Sequence, residues 1–260
     1  MINYNSLVHG DCLDVMKEID DESIDLILCD LPYGTVDCAW DSIIPFEYVW
    51  QQYARIIKHN SAIVLTSSQP FTTKLISSKF DLFKYCWVWQ KTRPANYVLA
   101  QKHPLKYHED ICVFGFGRLN YFPQMEIGNK PYIKRQLESY DKDKAILHDT
   151  RKAGTISSSD GSRYPSSIIK ISNDNHNSLH PTQKPVQLFE YLIKTYTKEN
   201  DLVLDNCAGS CTTAIACMNT NRNYICIEKE LEYIEISNER IANHIISKPN
   251  ISERERYFDL

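Results

Sequence analysis

The chain has no Gly-x-Gly-x-x-Gly stretch, no Cys-x-x-Cys pair, no apolar run approaching a membrane span and no strong excess of either charge. Each absence excludes something. Without the glycine fingerprint, a nicotinamide-dependent dehydrogenase becomes a remote reading. Zinc sites want spaced Cys/His pairs. The nearest approach, Cys207-x-x-x-Cys211, has no second pair, so no metal is expected. Of the nine cysteines, Cys29, Cys86, Cys112 and Cys226 lie in apolar strand-like runs, where a thiol acts as a small hydrophobe. That usage fits a reducing compartment and no disulfide framework. Met1-Ile2-Asn3-Tyr4-Asn5 is no secretory signal, and no membrane span is expected. A cytoplasmic, nucleoid-associated setting is the expectation, with a nuclear or viral-host one left open. The formal net charge of -4 gives no global pull toward a polyanion, so any nucleic-acid contact must come from local patches.

What is present suits a large α/β unit. The 260 residues are 43% hydrophobic and 24% charged, enough for one big domain or a domain carrying an insertion. Period-two or wholly apolar runs predict strands at 6–9, 24–29, 61–66, 85–89, 110–114, 202–205 and 224–228. Helical spacing predicts helices at 12–19, 45–58, 70–78, 186–196, 210–218 and 233–246. Strands alternating with helices imply an open, mostly parallel sheet covered on both faces. Periodicity weakens over 118–179, a stretch too long for an ordinary connection and thus a subdomain or a functional insertion. No internal repeat is visible, and Glu253-Arg254-Glu255-Arg256 reads as a solvated end.

Two strand ends carry chemistry. Asp30-Leu31-Pro32-Tyr33 follows the buried run 24–29. A carboxylate, a stiffened backbone and an aromatic ring thus meet where open α/β sheets bind ligands. The set suits holding a flat, amine-bearing ring and making its nitrogen attack. A turn aromatic covering the core is the plainer reading of Tyr33. The second end is Asp205-Asn206-Cys207-Ala208-Gly209-Ser210-Cys211-Thr212-Thr213, a strand-to-helix turn whose small residues let a ligand approach free N–H groups. Glu228 ends the next strand, 19 residues beyond Gly209, where a carboxylate can accept from both ribose hydroxyls of an adenosine. Alone it reads equally well as a helix-start acid.

Taken together, these residues resemble the beta class of S-adenosylmethionine-dependent DNA amino-methyltransferases. That family's catalytic signature is Asp-Pro-Pro-Tyr; here it is Asp30-Leu31-Pro32-Tyr33, followed by Gly34-Thr35 and Trp40-Asp41. The segment 205–213 resembles its cofactor loop. His180-Pro181-Thr182-Gln183-Lys184-Pro185 resembles an element beside the methionine part of the cofactor, and His9-Gly10-Asp11-Cys12 the segment that holds its adenine. The catalytic motif comes first and the cofactor loop last, the circular order that defines the class. The resemblance implies a class I methyltransferase fold, Rossmann-like and circularly permuted, built from 1–117 and 180–260, with 118–179 as an inserted target-recognition region.

It also implies roles. Asp30 and the Leu31 carbonyl take the two amine hydrogens of a flipped-out base, Pro32 keeps Leu31 extended, and Tyr33 stacks on the base. Asp11, Cys12, Glu228 and Lys229 belong to the adenosine side of the cofactor; Lys184, Asp205, Asn206, Ala208, Gly209, Ser210 and Thr212 lie around its methionine side. Asp11 also reads as the N-cap of helix 12–19, and Lys184 as a solvated lysine. S-adenosylmethionine is the implied cofactor and S-adenosylhomocysteine the product, with no metal. Double-stranded DNA is the implied partner; a homodimer and a restriction endonuclease partner stay open. Lys91, Arg93, Lys102 and Lys106 lie in an acid-free stretch, 91–108, with His103, His108 and Tyr97 interleaved, and are assigned to DNA phosphates; a solvated basic loop is the plainer reading. The insertion holds ten Lys/Arg against seven Asp/Glu, with Tyr132, Tyr140 and Tyr164 available, or is a disordered linker.

Asp at position 30 leans toward adenine-N6 over cytosine-N4, whose enzymes more often carry Ser there. Methylation of RNA or of a protein glutamine, and an inactive DNA-binding relative, are the competing readings. Three positions depart from the family pattern. They are Leu31 for Pro, Asn206-Cys207 for Pro-Phe, and Cys211 for Gly. If position 211 needs a positive φ, cysteine is strained there.

Overall fold

The computed structural model describes residues 2–35, 41–127, 132–135, 156–173 and 183–247, with the backbone alone at 132–135 and 156–159. Trp40, the side chain of Tyr132, Tyr140, His180-Pro181-Thr182 and the tail 253–256 lie outside the described residues. Two compact units emerge, Met1–Phe122 with Ser167–Leu260, and Pro123–Ser166.

The chain begins with β1 (Ser6–His9), α1 (Cys12–Val15, extended by a 3-10 turn, Met16–Glu18) and β2 (Ile24–Cys29). Next come α2 (Phe46–Ile56), β3 (Ile57–Ser67), α3 (Phe71–Ser78), β4 (Phe83–Gln90) and β5 (His108–Phe114). The small unit contains β6 (Glu126–Ile127), β7 (Tyr132–Arg135), β8 (Ile156–Ser159) and β9 (Ser162–Arg163), paired β6 with β9 and β7 with β8. The large unit resumes with β10 (Ile168–Lys170), α4 (Val186–Tyr196), β11 (Leu202–Asp205), α5 (Thr212–Asn219), β12 (Asn223–Glu228) and α6 (Leu231–Ser247).

Eight strands form one sheet in the order β1-β12-β11-β2-β3-β5-β4-β10. All pairings are parallel except those of β5, which runs against both β3 and β4. The reason is local. β4 and β5 are joined by 91–107, which holds only the 3-10 turn Tyr97–Leu99, and a parallel return needs a crossover such as a helix. Side chains alternate between two cores. Ile27, Ile63 and Leu65 face Trp50, Tyr53 and Phe71 on one side of the sheet. Leu26, Leu28 and Val64 face Phe189, Leu192 and Ala214 on the other. Each such fully buried aliphatic contributes roughly 1.5–3 kcal/mol. Among the described residues, no helix is long and apolar enough to cross a membrane.

Two expectations need correction. The helix predicted over 45–58 ends at Ile56, and Ile57 and Lys58 already belong to β3. Ile57 is buried in β3 as Ile56 is in α2, so apolar spacing could not mark the end. The pairing with β2 shifts register between Ile24–Ile57 and Leu26–Ala62, a stretch that holds Asn60 at φ 67, and Lys58 bonds both oxygens of Asp25 at 2.8 Å. The insertion is also narrower than 118–179. Residues 118–122 belong to the large unit, and β10 extends its sheet beside β4.

Cys211 takes φ 57 and ψ 42 at the start of α5, fully buried. The left-handed conformation costs an L-residue about 1 kcal/mol, which glycine escapes. Cys211→Ala and Cys211→Gly both lose the thiol, so their difference isolates the backbone. The glycine variant is expected to be the more stable by about 1 kcal/mol in urea unfolding, the reverse of the usual order. An alanine variant equal or superior to glycine would show that the position carries no strain.

Candidate active site

The order of strands explains how distant motifs meet. β2 pairs with β11, Ile27 opposite Leu204, and β11 pairs with β12, which pairs with β1. Their C-terminal ends therefore line up along one sheet edge, carrying Asp30, Asp205, Glu228 and Asp11 in turn. A cleft of about 890 Å³ lies over that edge. It is lined by all four residues 30–33, by Asp11, Cys12, Lys184, Glu228 and Lys229, and by Asp205, Asn206, Ala208, Gly209, Ser210 and Thr212 of the loop.

At the β1 end of the cleft, Asp11 Oδ1 accepts from Leu13 N at 2.9 Å, so Asp11 does cap α1 while it also lines the cleft. Glu228 is buried, and its carboxylate accepts from three backbone N–H groups. These are Gly209 at 2.7 Å, and Lys229 and Glu230 at 2.9 Å each. Burial pushes the Glu228 pKa up, partly opposed by those bonds. The side chain thus ties the small-residue loop to the end of β12 and keeps acceptor capacity toward the cleft.

The loop is braced from below. Asp205 accepts from Thr213 Oγ1 and, at 3.2 Å, from Cys207 N; burial pushes its pKa up to about 6. Asn206 Oδ1 accepts from the buried Tyr53 hydroxyl at 2.6 Å, which gives this departure from the family pattern a structural partner. Arg240 of α6 donates to Ser210 O at 2.7 Å and to Thr212 Oγ1 at 3.1 Å. Ser210 Oγ donates to Gln183 Oε1 at 3.0 Å, linking the loop to the segment that carries Lys184.

On the reactive side, Asp30 Oδ1 accepts from the Tyr33 hydroxyl at 2.7 Å and from Thr66 Oγ1; Asp30 Oδ2 accepts from Lys184 Nζ at 2.5 Å. Tyr33 stacks on Phe71, with centroids 4.9 Å apart and planes 25° apart. Its hydroxyl is held neutral, first by burial and then by the Asp30 charge. Lys184 is buried, which lowers an ammonium's pKa, but the Asp30 and Glu109 carboxylates outweigh this and raise it. Lys184 therefore sits on the catalytic-signature carboxylate, and the reading of it as a solvated lysine is set aside.

Lys91 also departs from expectation. It is 9% exposed, forms an ion pair with Glu109 and lies 4.9 Å from the Trp89 ring centre. A buried, paired ammonium cannot track phosphates, so Lys91 leaves the DNA-contact set. Arg93 lines the cleft and is exposed, as is Lys102; Lys106 is partly covered and donates to Ser68. Among the described residues, no group of His, Cys, Asp and Glu could hold a metal ion.

Glu109 and Thr66 were not foreseen. Thr66 lies near the C-terminal end of β3, where a polar residue after an apolar run was the available signal. Glu109 lies near the start of β5. Because β5 is reversed, its first residues share the edge formed by the last residues of β2 and β3. A reading that inspects only C-terminal strand ends passes over it.

The comparisons agree with this geometry. The sequence profile of the N6/N4 DNA methylase family matches residues 24–239. DNA adenine methyltransferase YhdJ of Escherichia coli (strain K12) is 28% identical over 92% of this chain and 84% of its own. The M1.HpyAVI–SAM complex superposes with a TM-score of 0.60 at 22% identity, covering 90% of this chain and 98% of that one. The cytosine-N4-specific PvuII DNA methyltransferase does so at 0.63 and 18%, covering 98% and 90%. The cleft's size, the Glu228 carboxylate on its wall and the small-residue loop around Gly209 fit an adenosyl cofactor. The chain belongs to the N6/N4 DNA methylase family, DNA methyltransferases that take their methyl group from S-adenosylmethionine.

Proposed function

We propose that this chain methylates the exocyclic N6 of an adenine flipped out of duplex DNA. The observation that carries the reading is that Asp30 and Leu31 line the same cleft as the Gly209 loop. An aromatic amine is a poor nucleophile because its lone pair is delocalised into the ring. Two acceptors on its two hydrogens favour a pyramidal nitrogen, and Asp30 and the Leu31 carbonyl are assigned to them. When bound, S-adenosylmethionine supplies an electrophilic methyl on a sulfonium. The chain's own part is positioning and preorganised dipoles, with no covalent enzyme intermediate.

Asp11 is assigned to the adenine amine, with Cys12 and Lys229 beside it, and Glu228 to the ribose. Asp205, Asn206, Ala208, Gly209, Ser210 and Thr212 are assigned to the methionine side. Arg93, Lys102 and the partly covered Lys106 are assigned to DNA phosphates. The turn Tyr97–Leu99 between them exposes Tyr97 and Val98, whose apolar surface fits bases better than water. The unit Pro123–Ser166 is assigned to target recognition.

Adenine is favoured by the carboxylate at position 30 and by the relative named as an adenine enzyme. The cytosine-N4 reading rests on a fold neighbour. Nucleoside digests of DNA from a host expressing the chain are expected to contain N6-methyladenine. N4-methylcytosine would replace this reading with its alternative, and methyl transfer to RNA or a protein in preference to DNA would overturn both.

A further inference from the structure

Four buried or half-buried charges form a line across the reactive side of the cleft, Lys91–Glu109–Lys184–Asp30. Lys91 binds Glu109 Oε1. Lys184 Nζ lies 2.5 Å from Asp30 Oδ2 and 3.6 Å from Glu109 Oε2. Two features of this line are unusual. Both Asp30 oxygens already hold donors, and the buried Glu109 Oε2 has no hydrogen-bond partner at ordinary distance among the described residues, with the Lys184 ammonium 3.6 Å away. A buried carboxylate oxygen without a donor is costly and rare.

The target amine is itself a donor, so it competes with Lys184 for Asp30 Oδ2. Lys184 also lies over the Tyr33 ring, 5.6 Å from its centre, while Phe71 stacks on that ring. A base entering from the cleft to stack on Tyr33 and bond Asp30 therefore meets the same ammonium twice. The Lys184 side chain is 7% exposed, and its ammonium cannot retreat without a counter-charge. Glu109 Oε2 is the carboxylate oxygen within reach; a shift of about 1 Å brings it to ordinary hydrogen-bond distance. Lys91 fixes Glu109 from the other side, so the line stays neutral whichever carboxylate Lys184 holds.

We infer that Lys184 is a gate on the amine site and that Glu109 is the seat to which it moves, which makes Glu109 a positioning residue for methyl transfer. No proton changes hands; the ammonium exchanges one carboxylate for another. The inference rests on the proposed methyl transfer to DNA, and its test separates the two.

Glu109→Gln keeps the shape and removes the charge of the seat. In single-turnover methyl transfer to DNA it is expected to lose at least about tenfold in rate. Calorimetric binding of S-adenosylhomocysteine should stay within about twofold. Glu109→Asp, which keeps the charge, should recover part of the rate. In a Lys184→Met background the Glu109→Gln loss should largely vanish, because Glu109 acts through Lys184. With isotope-labelled lysine, the Lys184 ammonium signal should move when the methylated duplex and S-adenosylhomocysteine are added, and stay in place in Glu109→Gln. A wild-type rate in Glu109→Gln, an equal loss in both backgrounds, or a Lys184 signal that moves identically in the variant would overturn the inference. A parent chain that transfers no methyl to DNA would overturn the functional reading instead.

Discussion

Asp30→Ala is expected to abolish methyl transfer while cofactor binding survives. In the proposed reaction the carboxylate takes one amine hydrogen and fixes where the nitrogen points, so its loss removes an interaction made most strongly in the transition state. Removing one preorganised electrostatic partner of this kind typically costs 10²–10³ in rate, about 3–4 kcal/mol. Alanine does further harm here. It leaves the buried Lys184 without its nearest counter-charge and the Tyr33 hydroxyl with only its longer bond, 3.3 Å, to Thr66 Oγ1. Breaking a buried pair by removing one partner costs roughly 3–5 kcal/mol of stability. Part of that is recovered if Lys184 turns to Glu109.

Asp30→Asn is therefore the sharper variant. It keeps an acceptor for Tyr33 and Thr66 and loses the charge. Single-turnover rates are expected to fall at least about 10²-fold, with the S-adenosylhomocysteine dissociation constant within a few-fold of the parent. The two measurements are independent because Asp30 follows β2, whereas the loop assigned to the cofactor follows β11. Turnover in the asparagine variant near the parental rate would remove the carboxylate from the amine-accepting role.

Much of this site was legible because each motif is short, contiguous and placed at a strand end. Asp30-Leu31-Pro32-Tyr33 and 205–213 could be located by an apolar run followed by a break. Parallel strand ends then made their meeting a matter of topology. The elements 24–29, 186–196 and 202–205 stand as the sequence pattern draws them, since each is a buried run with a clear stop.

What stayed hidden depends on direction and on pairing. The reversal of β5 is set by a connection that lacks a helix, and it alone brings Glu109 to the active edge. The burial of Lys91 is a partner effect. Its neighbours in sequence are polar and basic, and only Glu109, 18 residues away and across an antiparallel pair, makes it an interior group. Lys184 read as cofactor-side or solvated because its segment reveals nothing of which carboxylate it meets. The strain at Cys211 was foreseeable from one residue type in one loop, because a backbone conformation is a local property.

Glu228→Ala is expected to weaken cofactor binding by about two orders of magnitude. A carboxylate that accepts from two ribose hydroxyls makes charge-assisted bonds, each contributing roughly 1.5–3 kcal/mol. Alanine also leaves Gly209 N without its acceptor, so the loop assigned to the methionine side loses one of its ties to β12, while Ala208 N still donates to Ile227 O at 2.9 Å. Ligand fragments separate the two effects. If the carboxylate acts on the ribose, adenosine and S-adenosylhomocysteine should weaken by similar factors. If it acts only through the loop, S-adenosylhomocysteine should weaken and adenosine much less. An unchanged dissociation constant for both would remove Glu228 from the site. A pH titration adds a sign. Burial raises the Glu228 pKa, and the protonated acid is the poorer acceptor. Cofactor affinity should therefore fall as pH drops through that raised pKa, and the fall should be absent in Glu228→Gln.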